Sequence, residues 1–221
     1  MHTPDKFSYL MKMLKEDPTE LIRLFSVGLT TLKFRFLKRC IGKGTTVEPQ
    51  TQIINAANVQ IGQNCLLKEA IYIRAGANGR VTIGDRAAIN AFCRIFGHGT
   101  VTIGEDTQIG PGVLITTTGH DYRNSLETHF QPIRIGKSVW IGANVTILPG
   151  IEIGDHAVIG AGAVVNKSIP ARSVAVGIPA KVIKTLDLGE SAPPILTVEA
   201  NGNDHSSLAN ATRPKVLQES K

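Results

Sequence analysis

The chain has 221 residues, 42% hydrophobic, 19% charged and 5% aromatic, a composition that suits a globular protein of one ordinary domain with tails and excludes wholesale disorder. Three cysteines (Cys40, Cys65, Cys93) with no CxxC exclude a disulfide framework and a zinc ribbon, and no hydrophobic run reaches the ~18–20 residues needed to span a bilayer. The net charge of +6 divides into +5 over residues 1–45, +3 over 46–185 and −2 over 186–221; with few aromatics and no nucleic-acid motif, it does not read as nucleic-acid binding.

Residues 1–40 form the basic leading segment, and the first twenty lack the charged-then-apolar order of a secretion signal, so a cytoplasmic location is expected. Helix is expected over residues 5–38. Asp17-Pro18-Thr19-Glu20 supplies an N-cap, a proline at the first helical position and a capping-box glutamate. Two roles stand open for this helix. It caps the end of whatever sheet follows, hiding unpaired strand groups, or it rests on an anionic membrane surface; one helix can do both.

From Ile41 onward the sequence repeats. Ile-Gly occurs nine times among 24 isoleucines and 22 glycines, where chance gives roughly 2.4. Ile135, Ile141, Ile147, Ile153, Ile159 and Val165 follow one another every six residues, as do Ile103, Ile109 and Ile115, and shorter runs start at Ile41, Ile61 and Ile83. A period of six fits neither a helix at 3.6 nor an amphipathic strand at 2. It fits a short strand and a sharp corner, repeated, with one aliphatic side chain per hexad turned inward. Three hexads close one triangular coil, and coils restart at 41, 61, 83, 103, 135 and 153, a stack of about six coils at ~4.8 Å spacing. Residues 41–185 therefore read as a parallel β-helix.

One segment, residues 116–134, is ejected from this repeat and gathers His120, Asp121, Tyr122, Arg123, His129 and Phe130. Titratable and aromatic groups on a loop held by a rigid scaffold make a site hypothesis. Residues 186–221, rich in Ser, Asn, Ala and Pro, read as an extended or disordered tail.

The repeat, densest in VWIGANVTILPGIEIGDHAVIGAGAVVNKSIPARSVAVGIPAKVIK at residues 139–184, resembles the hexapeptide-repeat acyltransferase superfamily, in particular the maltose and galactoside O-acetyltransferases and the acetyltransferases of bacterial surface-polysaccharide synthesis. The resemblance implies an all-β core, a left-handed parallel β-helix. It also implies an O-acetyltransferase that moves an acetyl group from acetyl-CoA to a sugar hydroxyl, with no metal. By the same resemblance the T-G-H segment makes His120 the general base, Asn90 a partner near thioester and acceptor, and the Ala143 amide an oxyanion donor. Trp140, Ala161, Asn166, Lys167, Lys181 and Lys184 would line the coenzyme A groove, the two last as point charges where the galactoside enzymes carry arginines. Asp121, Tyr122 and His98 would face the acceptor; His98 stands where the galactoside enzymes place an acidic residue, so the implied acceptor pocket is not theirs, and His98 either contacts a different sugar or simply sits in the FGHG corner. A homotrimer with interfacial sites is implied.

Other readings stay on the page. The acceptor is an amino-sugar nitrogen or an amino-acid hydroxyl; or the chain is a metal-dependent β-helix like the γ-type carbonic anhydrases, for which the paired H-x4-H is missing because Ser125 stands five residues past His120; or it is a scaffold without catalysis. The three cysteines read as small buried residues, not nucleophiles.

Overall fold

The structure is a computed structural model and describes residues 18–37, 40–121, 123 and 127–187. The expected helical stretch before Pro18 with its Asp17 cap, and the tail beyond 187, lie outside the described residues.

Three parallel sheets run side by side along the molecule and form the faces of a triangular prism. The isoleucines that restart the coils lie in register on the first face, each against the next: Ile41 with Ile61, then Ile83, Ile103, Ile135, Ile153 and finally Ile169. The second face stacks Val47, Leu67, Ile89, Ile109, Ile141, Ile159 and Ala175. The third stacks Ile53, Ile73, Ile95, Ile115, Ile147 and Val165. The period-six reading of the sequence thus holds coil by coil.

The structure adds a second inward position that the periodicity does not advertise. Two residues before the large aliphatic, a smaller side chain is also buried: Val113, Val139, Val145, Ala157 and Ala163, and also Thr45, Thr51, Thr107, Cys65 and Cys93. The threonines and cysteines in this slot donate to a carbonyl of the next coil, Thr45 Oγ1 to Gly62 O at 2.7 Å, Thr107 Oγ1 to Gly136 O at 2.9 Å and Cys93 Sγ to Gly110 O at 3.1 Å. A polar atom thereby enters an aliphatic core with its hydrogen bond made. Each large aliphatic removed from water contributes about 1.5–3 kcal/mol, and every coil holds only its neighbours.

The chain turns in a constant way. Three residues before the large inward aliphatic, the backbone at the first two corners of each coil is left-handed, for example at Asn64, Arg86, Asp106, Ser138 and His156, and at Ala70, Phe92, Gly112, Asn144 and Gly162. Extra residues enter almost solely at the third corner, between third and first face: Asn55–Asn58, Gly76–Gly79, His98–Gly99 and the ejected segment.

The two ends are closed differently. Helix α1 (Pro18–Leu32) and a π-helical turn at Lys33–Leu37 lie over the open edge of the first coil. Thr31 Oγ1 accepts from Val47 N at 2.9 Å, filling the place of an absent previous strand, and Arg35 donates to Thr45 O at 3.1 Å. Phe34 is buried over the coil. At the far end Ser173–Val176 turns back into Lys181–Thr185, an antiparallel pair that ends the second face and was not legible in the hexads.

Candidate active site

The segment ejected at the third corner of the fourth coil is not an irregular loop. It is an antiparallel hairpin, Thr118–Asp121 against Glu127–Phe130, with Thr118 opposite Phe130, Gly119 opposite His129, His120 opposite Thr128 and Asp121 opposite Glu127. Its β-branched and aromatic alternation on either side of a polar turn is a hairpin signal, overlooked beside the stronger hexad rhythm. Buried Thr117 clamps its base: its N–H and Oγ1 both donate to Phe96 O, at 3.1 and 3.0 Å, its Oγ1 accepts from Gly99 N at 2.9 Å, and its carbonyl accepts from Gln131 N at 2.9 Å.

Alternation puts Thr118, His120, Thr128 and Phe130 on one face of this hairpin. His120 is exposed, and its Nδ1 lies 3.4 Å from Thr128 Oγ1. Phe130, 51% exposed, stacks on the His98 ring with centroids 5.7 Å apart and planes 23° from parallel; His98 Nδ1 in turn sits 3.2 Å from Thr118 Oγ1. The third-corner insertions of two successive coils thus meet, His98 from one and the hairpin from the next. The exposed His129 imidazole crosses over Gly119, where a Cβ would lie 2.5 Å from its Nε2, so any larger residue there would push that ring aside. Asp121 Oδ1 accepts from Arg123 N at 2.8 Å, a local turn. Tyr122 lies outside the described residues.

Asn90 occupies a different edge. It stands at the second corner, between second and third face, where its Nδ2 donates to Ile109 O at 3.1 Å. Above it, one coil after another, come Gly110, the pair Gly142–Ala143 and the pair Gly160–Ala161. This edge is smooth because a Cβ at Gly142 would meet Ala161 N at 2.6 Å. Trp140 is exposed on the second face beside it, and Phe92 is exposed there with φ +62°, a bulky side chain in a conformation that favours glycine. Asn166 and Lys167 are exposed at the third corner, the corner of His120, and Lys181 and Lys184 are exposed on the closing strand.

The expected site residues therefore form two groups. One edge of the prism carries His98, His120, Asp121, Asn166 and Lys167; the next carries Asn90, Ala143 and Ala161, with Trp140 beside them. A face of one short strand with its corner, roughly 15–20 Å at ~3.3 Å per residue, separates the edges, so one chain alone does not bring His120 and Asn90 together. Thr117, Thr128 and Phe92 are additions that the sequence did not single out, and Phe130, expected only as part of the ejected segment, gains a partner in His98.

All three cysteines are buried and none is in a disulfide. Burial pushes the Cys93 thiol up to about 11 and raises that of Cys65, which keeps both in the inert thiol form at neutral pH. Among the described residues no three His, Cys, Asp or Glu side chains gather as a metal site.

A six-residue repeat wound into a three-sided prism, with a histidine hairpin at one edge and a smooth glycine–alanine edge at the next, defines a transferase of the hexapeptide-repeat kind. The bacterial transferase hexapeptide family (six repeats) matches residues 132–167, and the chain belongs to that family. It is 38% identical over 145 residues to the galactoside O-acetyltransferase of Escherichia coli K12, covering 64% of this chain and 70% of the relative. It is 34% identical to the putative lipopolysaccharide biosynthesis O-acetyl transferase WbbJ of the same strain, covering 60% and 74%. Among solved structures, a hexapeptide-repeat acetyltransferase of Vibrio cholerae O1 biovar eltor, complexed with acetyl coenzyme A, superposes with a TM-score of 0.52 at 26% identity, covering 80% of this chain and 98% of that one.

Proposed function

We propose that this chain is an acetyl-CoA-dependent O-acetyltransferase acting on a sugar hydroxyl, that residues 41–185 carry the activity, and that the acceptor belongs to a surface polysaccharide or its lipid-linked precursor. The observation that carries the reading is His120, exposed on a hairpin whose base is pinned by buried Thr117, in a chain 38% identical to a galactoside O-acetyltransferase.

The chemistry follows from the groups in reach. An alcohol is a weak nucleophile at neutral pH, and an imidazole is suited to take its proton. We assign the Nδ1 proton to the contact with Thr128 Oγ1, 3.4 Å away, which makes Nε2 the basic nitrogen. The hydroxyl oxygen bonds to the thioester carbonyl carbon, and the tetrahedral oxyanion is held by a backbone N–H, assigned to Ala143. Collapse breaks the carbon–sulfur bond, and the imidazolium returns the proton to the thiolate, leaving an acetyl ester and coenzyme A. No acyl-enzyme is needed.

Because the two edges stand a face apart, we assign the complete site to a homotrimer in which the His120 edge of one chain meets the Asn90 edge of another. The small residues at 142, 143, 160 and 161 suit the pantetheine arm, flanked by Trp140; Asn166 and Lys167 would extend the groove, and Lys181 and Lys184 would meet the phosphates. The stacked Phe130–His98 pair offers the acceptor ring an apolar floor beside His120, with Asp121 at the rim; Tyr122, next in the sequence, is assigned to the acceptor on the resemblance alone. Location is assigned to the cytoplasm, peripheral on the inner membrane face: the three cysteines are buried thiols outside any disulfide, as a reducing compartment allows, and the leading segment is basic.

The test is thiol release from acetyl-CoA over a panel of saccharides, with mass analysis and hydroxylamine treatment to distinguish ester from amide. His120→Ala should lower turnover about 10²–10⁴-fold without weakening coenzyme A binding. Unchanged turnover removes His120 as the base.

A further inference from the structure

Between Glu20 and Glu48 the chain carries six Lys or Arg and no Asp or Glu. Over the same stretch α1 uses one side to seal the prism, through Leu24, Val27, Thr31 and Arg35 beside the first coil and through buried Phe34. That leaves Ile22, Phe25, Leu29, Leu32 and Phe36, spaced three and four residues apart on another side and between 52% and 70% exposed. At 1.5 Å per residue they form an apolar ridge roughly 21 Å long. Five large hydrophobic side chains on one helix face are more than the scattered exposure of an ordinary surface. Exposed Lys33 borders the ridge, and Lys43 is exposed on the first coil.

We propose that this ridge is a docking surface for an anionic lipid membrane, with Ile22, Phe25, Leu29, Leu32 and Phe36 inserted at the headgroup–acyl boundary and the surrounding cations set among lipid phosphates. An apolar helix face in a segment rich in Lys and Arg is what an interfacial helix requires, and the run of six cations with no acid between Glu20 and Glu48 suits anionic headgroups. The three–four spacing also resembles a helix-pairing seam, but a second copy would bring the same uncompensated positive charge against itself, whereas a bilayer supplies the opposite sign. The proposal deepens the membrane contact named above by giving it a surface and an orientation, and it rests on the glycan-acetyltransferase reading only for its purpose. Held by Thr31 and Arg35, the prism would stand on its helix-capped end. The hairpin leaves the fourth coil, about three strand spacings or ~14 Å above the first, a height that favours sugars carried on a lipid.

The test is co-sedimentation of the full chain with vesicles of phosphatidylcholine and phosphatidylglycerol (3:1) and with phosphatidylcholine alone. The wild-type chain should pellet with the anionic vesicles, release at high salt, and lose about tenfold or more of its binding in the double variant Phe25→Ser, Leu29→Ser. Both positions point to solvent, so circular dichroism and turnover on short soluble saccharides should not change. Four results overturn the proposal: wild-type chain that stays in the supernatant; a double variant that binds equally well; a ridge substitution that lowers the native mass while vesicles are ignored, which assigns the ridge to a second copy; or binding that is lost once residues 1–17 are removed while the ridge is intact, which assigns it to that segment. If vesicles are bound but no saccharide is acetylated, the enzymatic reading fails alone and the docking surface stands.

Discussion

Glu48 shows what a single misfit costs in a fold built from aliphatic files. It is buried at the end of the first second-face strand, with Lys68 Nζ 3.0 Å from its Oε1. Burial, together with a hydrogen bond to Glu69, pushes its carboxyl above the usual range, while Lys68 pulls it back. A carboxyl whose folded pKa exceeds its unfolded one stabilises most below the unfolded value, near 4.3, and that contribution disappears as pH rises through the folded value. Glu48→Gln should therefore raise stability at pH 7 by roughly 1 kcal/mol or less, and the gain should shrink toward zero near pH 4; thermal melts of both proteins across pH 4–8 read it directly. A variant less stable at pH 7 would mean that the Lys68 pair outweighs the desolvation. Residues of this kind were not legible in advance, because Glu48 follows Val47 in a hexad like any other. Cys65 and Cys93 were legible as small buried groups, while their shared slot with Thr45 and Thr107, each hydrogen-bonded to the next coil, emerges only from the stacked backbone.

At the scale of elements, the coils were legible because the repeat imposes one constraint many times over, an aliphatic every six residues and a left-handed residue three before it. The hairpin and the closing strand pair occur once each, so no repetition amplified their signal. The apolar residues of α1 likewise announced a helix, while the division of its surface into a sealing side and an exposed ridge depends on how Thr31 and Arg35 seat it against the first coil. The hairpin yields its own prediction. Phe130 lies diagonally across the strands from His120 and stacks on His98, which is linked to Thr118, so its exposed ring is placed to act as a floor for the acceptor under the proposed role of His120. Phe130→Ala should raise KM for the saccharide about five- to twentyfold, the worth of an aromatic contact of ~1–2 kcal/mol, with KM for acetyl-CoA unchanged and Phe130→Trp close to wild type. Equal rises in both KM values would instead mean that the hairpin had shifted as a whole.

The whole molecule holds what no single coil contains. Counting from Asn90 to His120 reveals thirty residues, but only the wound chain reveals that they end on neighbouring edges of one prism, with the third face between. Two half-sites that never meet within a chain are what a cyclic trimer needs if each interface joins unlike edges. This arrangement has a numerical consequence. Under that proposal a chain with His120→Ala would lack one half of every site and a chain with Asn90→Ala the other, so each homotrimer should be deficient. Unfolding the two together in equal amounts and refolding them assorts the chains at random. About three-quarters of the trimers are then mixed, each with one of its three interfaces intact, so roughly a quarter of wild-type activity should return. Mixing without unfolding should return none while the trimers stay closed. If refolded mixtures recover nothing although light scattering shows mixed trimers, His120 and Asn90 act within one chain or at separate sites, and the assignment of unlike edges to one interface is wrong.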